Sequence, residues 1–232
     1  VGITHDEAHS NWVWELNKKK ISNIFLNTNH DISYLNTYHG YYGIGFYFLS
    51  FLLENFFLNI FELNNINQEG KILLLKHPTV FIFFAISGIF LRKILIILTS
   101  DKNFSDYSAI FYLTYPYLLG HSFFNIKDIP FMSMWLVCTY YLIKNLKNFF
   151  LKNIVRKKDL IIFAITTSYL LSLRVSGVLI FVEYLIFLIF YTQSFKTRVS
   201  DLVKFQYQNI FLFFLIFCEK NCHLSIYLNT LD

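Results

Sequence analysis

The chain has 232 residues, of which 55% are hydrophobic and only 15% charged, whereas soluble domains carry about 25% charged residues. That deficit and the repeated long apolar runs argue against a soluble globule and for a polytopic membrane protein. The net charge of +5 is not a nucleic-acid signal, because most of the excess lies in one loop between apolar runs.

The apolar runs are continuous rather than alternating, so the expected fold is all-α, a bundle of membrane helices rather than a barrel. Cys138, Cys218 and Cys222 show neither a metal spacing nor a paired framework. The chain opens on VGITHDEAHS, with no signal peptide and no initiator Met. Its last fifteen residues, CEKNCHLSIYLNTLD, break the pattern of 209–217. The expectation is a fragment, with a helix before Val1 and others after Asp232.

Residues 1–40 are polar and aromatic, with acids at Asp6 and Glu7 and a lysine run at 18–20. They read as an extramembrane loop with some helix. Residues 41–63 are apolar, but Asn55, Asn59 and Glu62 recur at spacings of four and three on one helical face. This pattern suits a helix in the membrane interface at least as well as a crossing. Residues 64–77 read as a polar connection. Residues 78–91 are apolar, and the run resumes after Arg92 and Lys93 as far as Thr99. These two cations belong near a membrane face, where long side chains snorkel. A short polar loop follows at 100–106.

Between the apolar runs 107–126 and 129–143 lies a polar seam, HSFFNIKDIPF. A charge at the centre of a spanning helix costs roughly 2.5–3.5 kcal/mol, so Lys127 and Asp128 belong in a tight turn at the membrane surface. Residues 144–159 carry Lys144, Lys147, Lys152, Arg156, Lys157 and Lys158, which places this loop on the cytoplasmic side. The run 160–191 is interrupted by Arg174 and Glu183. As one helix it would reach about 48 Å, beyond the roughly 30 Å hydrocarbon core. Two short crossings turning near SLRVSG fit better. Lys196, Arg198 and Lys204 then fall inside, and 209–217 begins another crossing.

Counting from the basic loop puts the seam outside, 100–106 inside and 64–77 outside, with Lys71 and Lys76 mildly against. The expected divisions are a first periplasmic loop with interfacial helices (1–77), a membrane bundle of about six crossings (78–218) and an atypical tail (219–232). If 41–63 lies in the interface, Asp6, Glu7, Lys127, Asp128 and Arg174 share one surface. If it spans, the first two are stranded on the other side. Taken singly, each has a plain structural reading: a solvated acidic pair, a turn and a snorkelling arginine.

Taken in order, they resemble a known pattern. THDEAHS is similar to the Asp-Glu motif of GT-C glycosyltransferases, in the branch of the protein O-mannosyltransferases and lipid A aminoarabinose transferases. YHGYYGIGF stands where that family often has a His-Pro-Pro-Leu-like segment, without the prolines. GIFLRKIL resembles its aliphatic-basic cluster, YPYLLGHSFFNIKDIPF its Pro-to-Asp outside turn, and LSLRVSG its later basic turn. His77 stands where the family has an Arg.

The resemblance implies a polyprenyl-phosphate monosaccharide donor presented from the outer leaflet, and inverting transfer of the sugar to an acceptor hydroxyl on a lipid, glycan or protein. Asp6 is then the general base and Glu7 orients the acceptor or the base. Arg174 and Lys127 stabilise the departing phosphate. Asp128 fixes Lys127 or contacts sugar hydroxyls. His9 and His121 lie near the same surface. Some members of the family bind a divalent metal at the acid; nothing in this sequence demands one. The implied location is the bacterial inner membrane, with the site facing the periplasm. Two other readings stand beside it. One is a transporter or flippase of lipid-linked substrates, for which Glu183 within a crossing is the pointer. The other is an inactive or truncated membrane protein.

Overall fold

The computed structural model describes residues 5–26, 43–61, 68–152 and 156–195, and these are all-helical, with no strand among them. The helices are α1 (His5–Leu26), α2 (Gly45–Phe61), α3 (Gln68–Lys71), a π turn (Ile72–Lys76), α4 (His77–Thr99), α5 (Lys102–Thr114), α6 (Pro116–His121), α7 (Asp128–Lys152), α8 (Lys157–Leu173), a 3-10 turn (Val175–Leu179) and α9 (Ile180–Phe195).

Where helices start and stop follows local chemistry. Ser100 adopts a left-handed conformation (φ 59°) that ends α4. The Asp101 side chain then accepts from the Phe104 N–H at 3.1 Å and caps α5. The expected helix over 107–126 is instead broken at Tyr115. That residue precedes Pro116 and is driven to ψ 116°, because the proline ring excludes the helical region for its predecessor. Arg174 is fully extended (φ −154°, ψ 143°) and separates α8 from the 3-10 turn. The turn expected near SLRVSG is therefore present, between two short helices.

The polar connection expected at 64–77 is corrected over part of its length. Residues 68–76 are helical and run without a break into α4. The physical reason is the apolar stretch Ile72, Leu73, Leu74 and Leu75, which joins the helix to the run that follows. Residues 62–67 lie outside the described residues. So do 196–232, and with them the crossing expected from 209 and the atypical tail.

Paired contacts define the arrangement. Phe90 packs on Tyr140 and Lys147 reaches the Ile97 carbonyl, so α4 and α7 run parallel. Arg92 pairs with Asp106 and Ser87 with Tyr112, so α5 runs back along α4. Lys144 bonds Asp159 at 2.8 Å and Thr167 contacts Cys138, so α8 returns along α7. Arg174, ahead of α9, meets Asp128, and Glu183 meets Trp135 and Thr139, so α9 again runs parallel to α7. The result is an up-and-down bundle with α7 at its centre, touching α4, α8 and α9. The seam, the end of α8 and the start of α4 share one end; the α7–α8 junction and residues 100–102 share the other. The loops expected at 144–159 and 100–106 are corrected: residues 144–152 continue α7, 157–159 open α8, and 102–106 open α5.

The order of burial is unusual for a water-soluble bundle. Ser87, Ser105, Ser133, Thr139, Asn145 and Thr167 are buried, while Ile82, Ile86 and Ile89 of α4, Ile110 and Phe111 of α5, Ile161 and Ile165 of α8, and Val182, Leu185, Ile186 and Ile189 of α9 are exposed. Among the described residues one helix, Ile72–Thr99, is long and apolar enough to cross a membrane. Gly45–Leu58 and Val175–Phe190 are apolar but shorter.

Candidate functional site

The seam folds as a turn between α6 and α7, and Asn125 organises it. Its side-chain oxygen accepts from the backbone N–H groups of Lys127 (3.2 Å) and Asp128 (2.9 Å), which tightens the chain into the start of α7. Its amide nitrogen donates to Asp128 Oδ2 at 3.0 Å and lies 3.2 Å from His121 Nδ1. Asp128 sits in the first turn of α7, where a carboxylate faces the positive end of the helix dipole. Its other oxygen receives Arg174 Nη1 at 2.5 Å. The guanidinium also lies over the Phe131 ring, 5.9 Å from its centroid. His121 is held by rings, with centroid distances of 4.4 Å to Tyr117 and 5.2 Å to Phe124.

Arg174 therefore has its acidic partner 46 positions away in sequence. The Asp128 carboxylate bonds Arg174 and Asn125, because the α8–α9 turn delivers a guanidinium above the first turn of α7. The pair is exposed, at 45% and 56% of the side chains, so water screens it and it holds geometry more than it stabilises the fold.

Beside this pair opens a cleft of about 220 Å³, walled by Lys127, Arg174, Ile126 and Leu173 of the bundle and by Val13, Trp14, Phe46 and Tyr47 of α1 and α2. It forms because Gly43 lets the chain lie directly on the end of α8. A Cβ there would sit 1.9 Å from the Leu173 carbonyl oxygen. Trp14 locks α1 in place. It is buried, stacks with Tyr47 (6.3 Å), packs tilted against Phe51 (5.8 Å), and belongs to the same apolar cluster as Ile126, Ile129 and Leu173.

Asp6 and Glu7 begin α1; their side chains are outside the described set. Positions 6 and 13, and 7 and 14, are two helical turns apart and share a face, about 10 Å along the axis. Helix α1 thus opens with the acidic pair and, two turns later, lines the cleft with Val13 and Trp14. His9 contacts the Trp12 ring (5.8 Å). Helix α2 lies beside the first part of the 68–99 helix. As α2 runs from Phe46 to Glu54, its neighbours on the 68–99 helix recede from Phe83 to Lys71, away from Thr99. Helix α2 stays at the seam end and does not run down the bundle.

Sequence reasoning missed Asn125 and Trp14. The Asn-x-x-Asp spacing of NIKD was a visible helix-start signal; nothing local marked Trp14. Arg92 and Lys93 lie toward the opposite end, Arg92 paired with Asp106 and Lys93 over the Phe90 and Tyr140 rings. Of YHGYYGIGF, residues 38–42 lie outside the described residues. Among the described residues no three His, Cys, Asp or Glu side chains gather to hold a metal. No family model, curated protein or solved structure matches this chain.

Proposed function

We propose that the chain belongs to a polytopic inner-membrane glycosyltransferase of the GT-C type, which transfers a monosaccharide from a polyprenyl-phosphate donor to an acceptor hydroxyl at the periplasmic face. The observation that carries this reading is the cleft at the seam end. It has two cationic residues in one wall and, in the other, the helix that opens with Asp6 and Glu7. Membrane placement is supported by the exposed aliphatic residues of α4, α5, α8 and α9, while Ser87, Ser105, Ser133, Thr139, Asn145 and Thr167 are buried beside the apolar core.

In this reading the donor phosphate lies against Arg174 and Lys127. Arginine has five N–H donors, so the bond to Asp128 leaves the rest of the fork for phosphate oxygens. Asp6 takes the proton of the acceptor hydroxyl as its oxygen forms a bond to the anomeric carbon. The bond from that carbon to the phosphate oxygen breaks, the configuration inverts, and polyprenyl phosphate leaves. The charge that grows on the leaving phosphate is where the two cations act. A divalent metal at the acid, as in some of the proteins it resembles, would involve Asp6 and Glu7.

The test is Asp6→Asn in the full-length protein, reconstituted with a polyprenyl-phosphate sugar. A general base contributes typically 10²–10⁴-fold, so transfer should fall by about that factor while membrane insertion stays intact. Transfer at the wild-type rate would reject Asp6 as the base. A transporter of lipid-linked substrates is the second reading. It is favoured by the Glu183 carboxylate, which sits inside the bundle and accepts from Trp135 Nε1 (2.5 Å) and Thr139 Oγ1 (2.6 Å).

A further inference from the structure

A second cleft, of about 130 Å³, lies on the other side of Trp14, between α1, α2 and the π turn. Its polar wall brings Lys18, Lys71 and Lys76 together with Glu15, Glu54 and Asn11, over the rings of Trp14 and Phe51. Three ammonium groups face two carboxylates. None of these charged residues lines the cleft at the seam; only Trp14 is shared by the two.

The π turn is what builds it. The His77 N–H bonds the Ile72 carbonyl, five residues back. In a π turn residues five apart are stacked one turn above each other. In an α-helix they are about 1.4 turns apart and point away from one another. The π turn therefore brings Lys71 and Lys76 onto one face, at one cavity. Lys76 is buried, with its ammonium 2.6 Å from Asn11 Oδ1 and over the Tyr47 ring. Lys71 pairs with Glu54 at 3.3 Å and Lys18 with Glu15 at 2.7 Å; the side chains of both lysines are about one-third exposed. Pairs this exposed are weak, so either lysine is available to turn toward an incoming anion. Burying a lysine at an otherwise apolar helix junction is costly, and the ordinary α spacing would have avoided placing it beside a second cation.

We infer that this cleft is an anion site that takes the phosphate headgroup of a lipid. The lipid source follows from α2. Its reverse side presents Phe48, Leu52, Phe56 and Ile60, all half-exposed and spaced by four. A stripe of that kind lies in the acyl boundary, and the cleft behind it then opens at headgroup depth. The phosphate oxygens accept from Lys18 and Lys71, and the glycerol or sugar part rests on Trp14 and Phe51. The inference shares with the proposed function the membrane placement of α2, but none of the transfer chemistry.

The experiment uses the full chain extracted in detergent with phosphatidylglycerol and phosphatidylcholine, with bound lipid counted by native mass spectrometry. The tightest adduct should be phosphatidylglycerol. Lys71→Gln should weaken it about tenfold, the loss of one charge-assisted hydrogen bond. Lys18→Gln should weaken it by a similar factor, because the phosphate oxygens accept from both lysines. Lys102→Gln, at the opposite end, should leave the adduct unchanged. Lys71 and Lys18 are each about one-third exposed, so either substitution leaves the fold intact. Equal retention of the two lipids, or indifference to Lys71→Gln, would overturn the site. Glycerol phosphate binding as tightly as the lipid would make the ligand a soluble phosphate and overturn the lipid assignment. Sugar transfer does not enter the readout, so the fate of the transferase reading leaves this result intact.

Discussion

Asn125 makes four hydrogen-bond contacts within one turn: to the N–H groups of Lys127 and Asp128, to the Asp128 carboxylate and to the His121 ring. Removing its side chain takes away a helix-start acceptor, worth about 1 kcal/mol, and frees Asp128 to rotate away from Arg174. Asn125→Ala is therefore expected to lower thermal stability only slightly, while changing donor affinity more than Asp6→Asn does. Kinetic measurement in reconstituted vesicles separates the two, since a base variant lowers kcat and a loosened phosphate clamp raises KM. Asp128→Asn should keep the geometry in part, because a neutral amide oxygen still accepts from the guanidinium. An Asn125→Ala protein with unchanged KM would show that Arg174 is positioned without this turn.

At the scale of elements, the contact of α7 with α9 is a polar clasp inside an apolar bundle. Trp135 and Thr139 each donate to one oxygen of Glu183, some 10–16 Å along α7 from Asp128. Glu183→Leu deletes the acceptor and leaves two donors without it. A lost acceptor of this kind costs about 1–3 kcal/mol, and thermal unfolding in detergent should register it as a lower midpoint. Adding Trp135→Phe and Thr139→Val removes the stranded donors and should recover most of the loss. If the single and triple variants melt alike, the clasp is not what holds α9.

For the whole molecule the decisive quantity is sidedness. The first forty residues and the seam must face one compartment. Single cysteines at Lys19 of α1, Phe123 of the turn and Lys158 at the start of α8, all exposed, test it when Cys138, Cys218 and Cys222 are replaced by Ser. A membrane-impermeant maleimide added to intact cells from the periplasmic side should label the first two and spare the third until the membrane is opened. Labelling of position 19 together with 158, and apart from 123, would leave the proposed active site without its base.

The sequence determined the helical class, the turns and their order. These depend on period, proline and charge, which act over a few residues: the seam before α7 and the break at Arg174 were legible, whereas the basic stretch 144–159 is mostly helix rather than loop. Tertiary structure decided what no local pattern encodes. Asp128 and Arg174 meet across 46 positions, and α2 turns away from the bundle. Trp14 divides two clefts, and residues 68–76 extend α4 through a π turn. Each of these depends on the packing of surfaces far apart in the chain, where contact follows from how helix faces fit rather than from the identity of any neighbour in sequence.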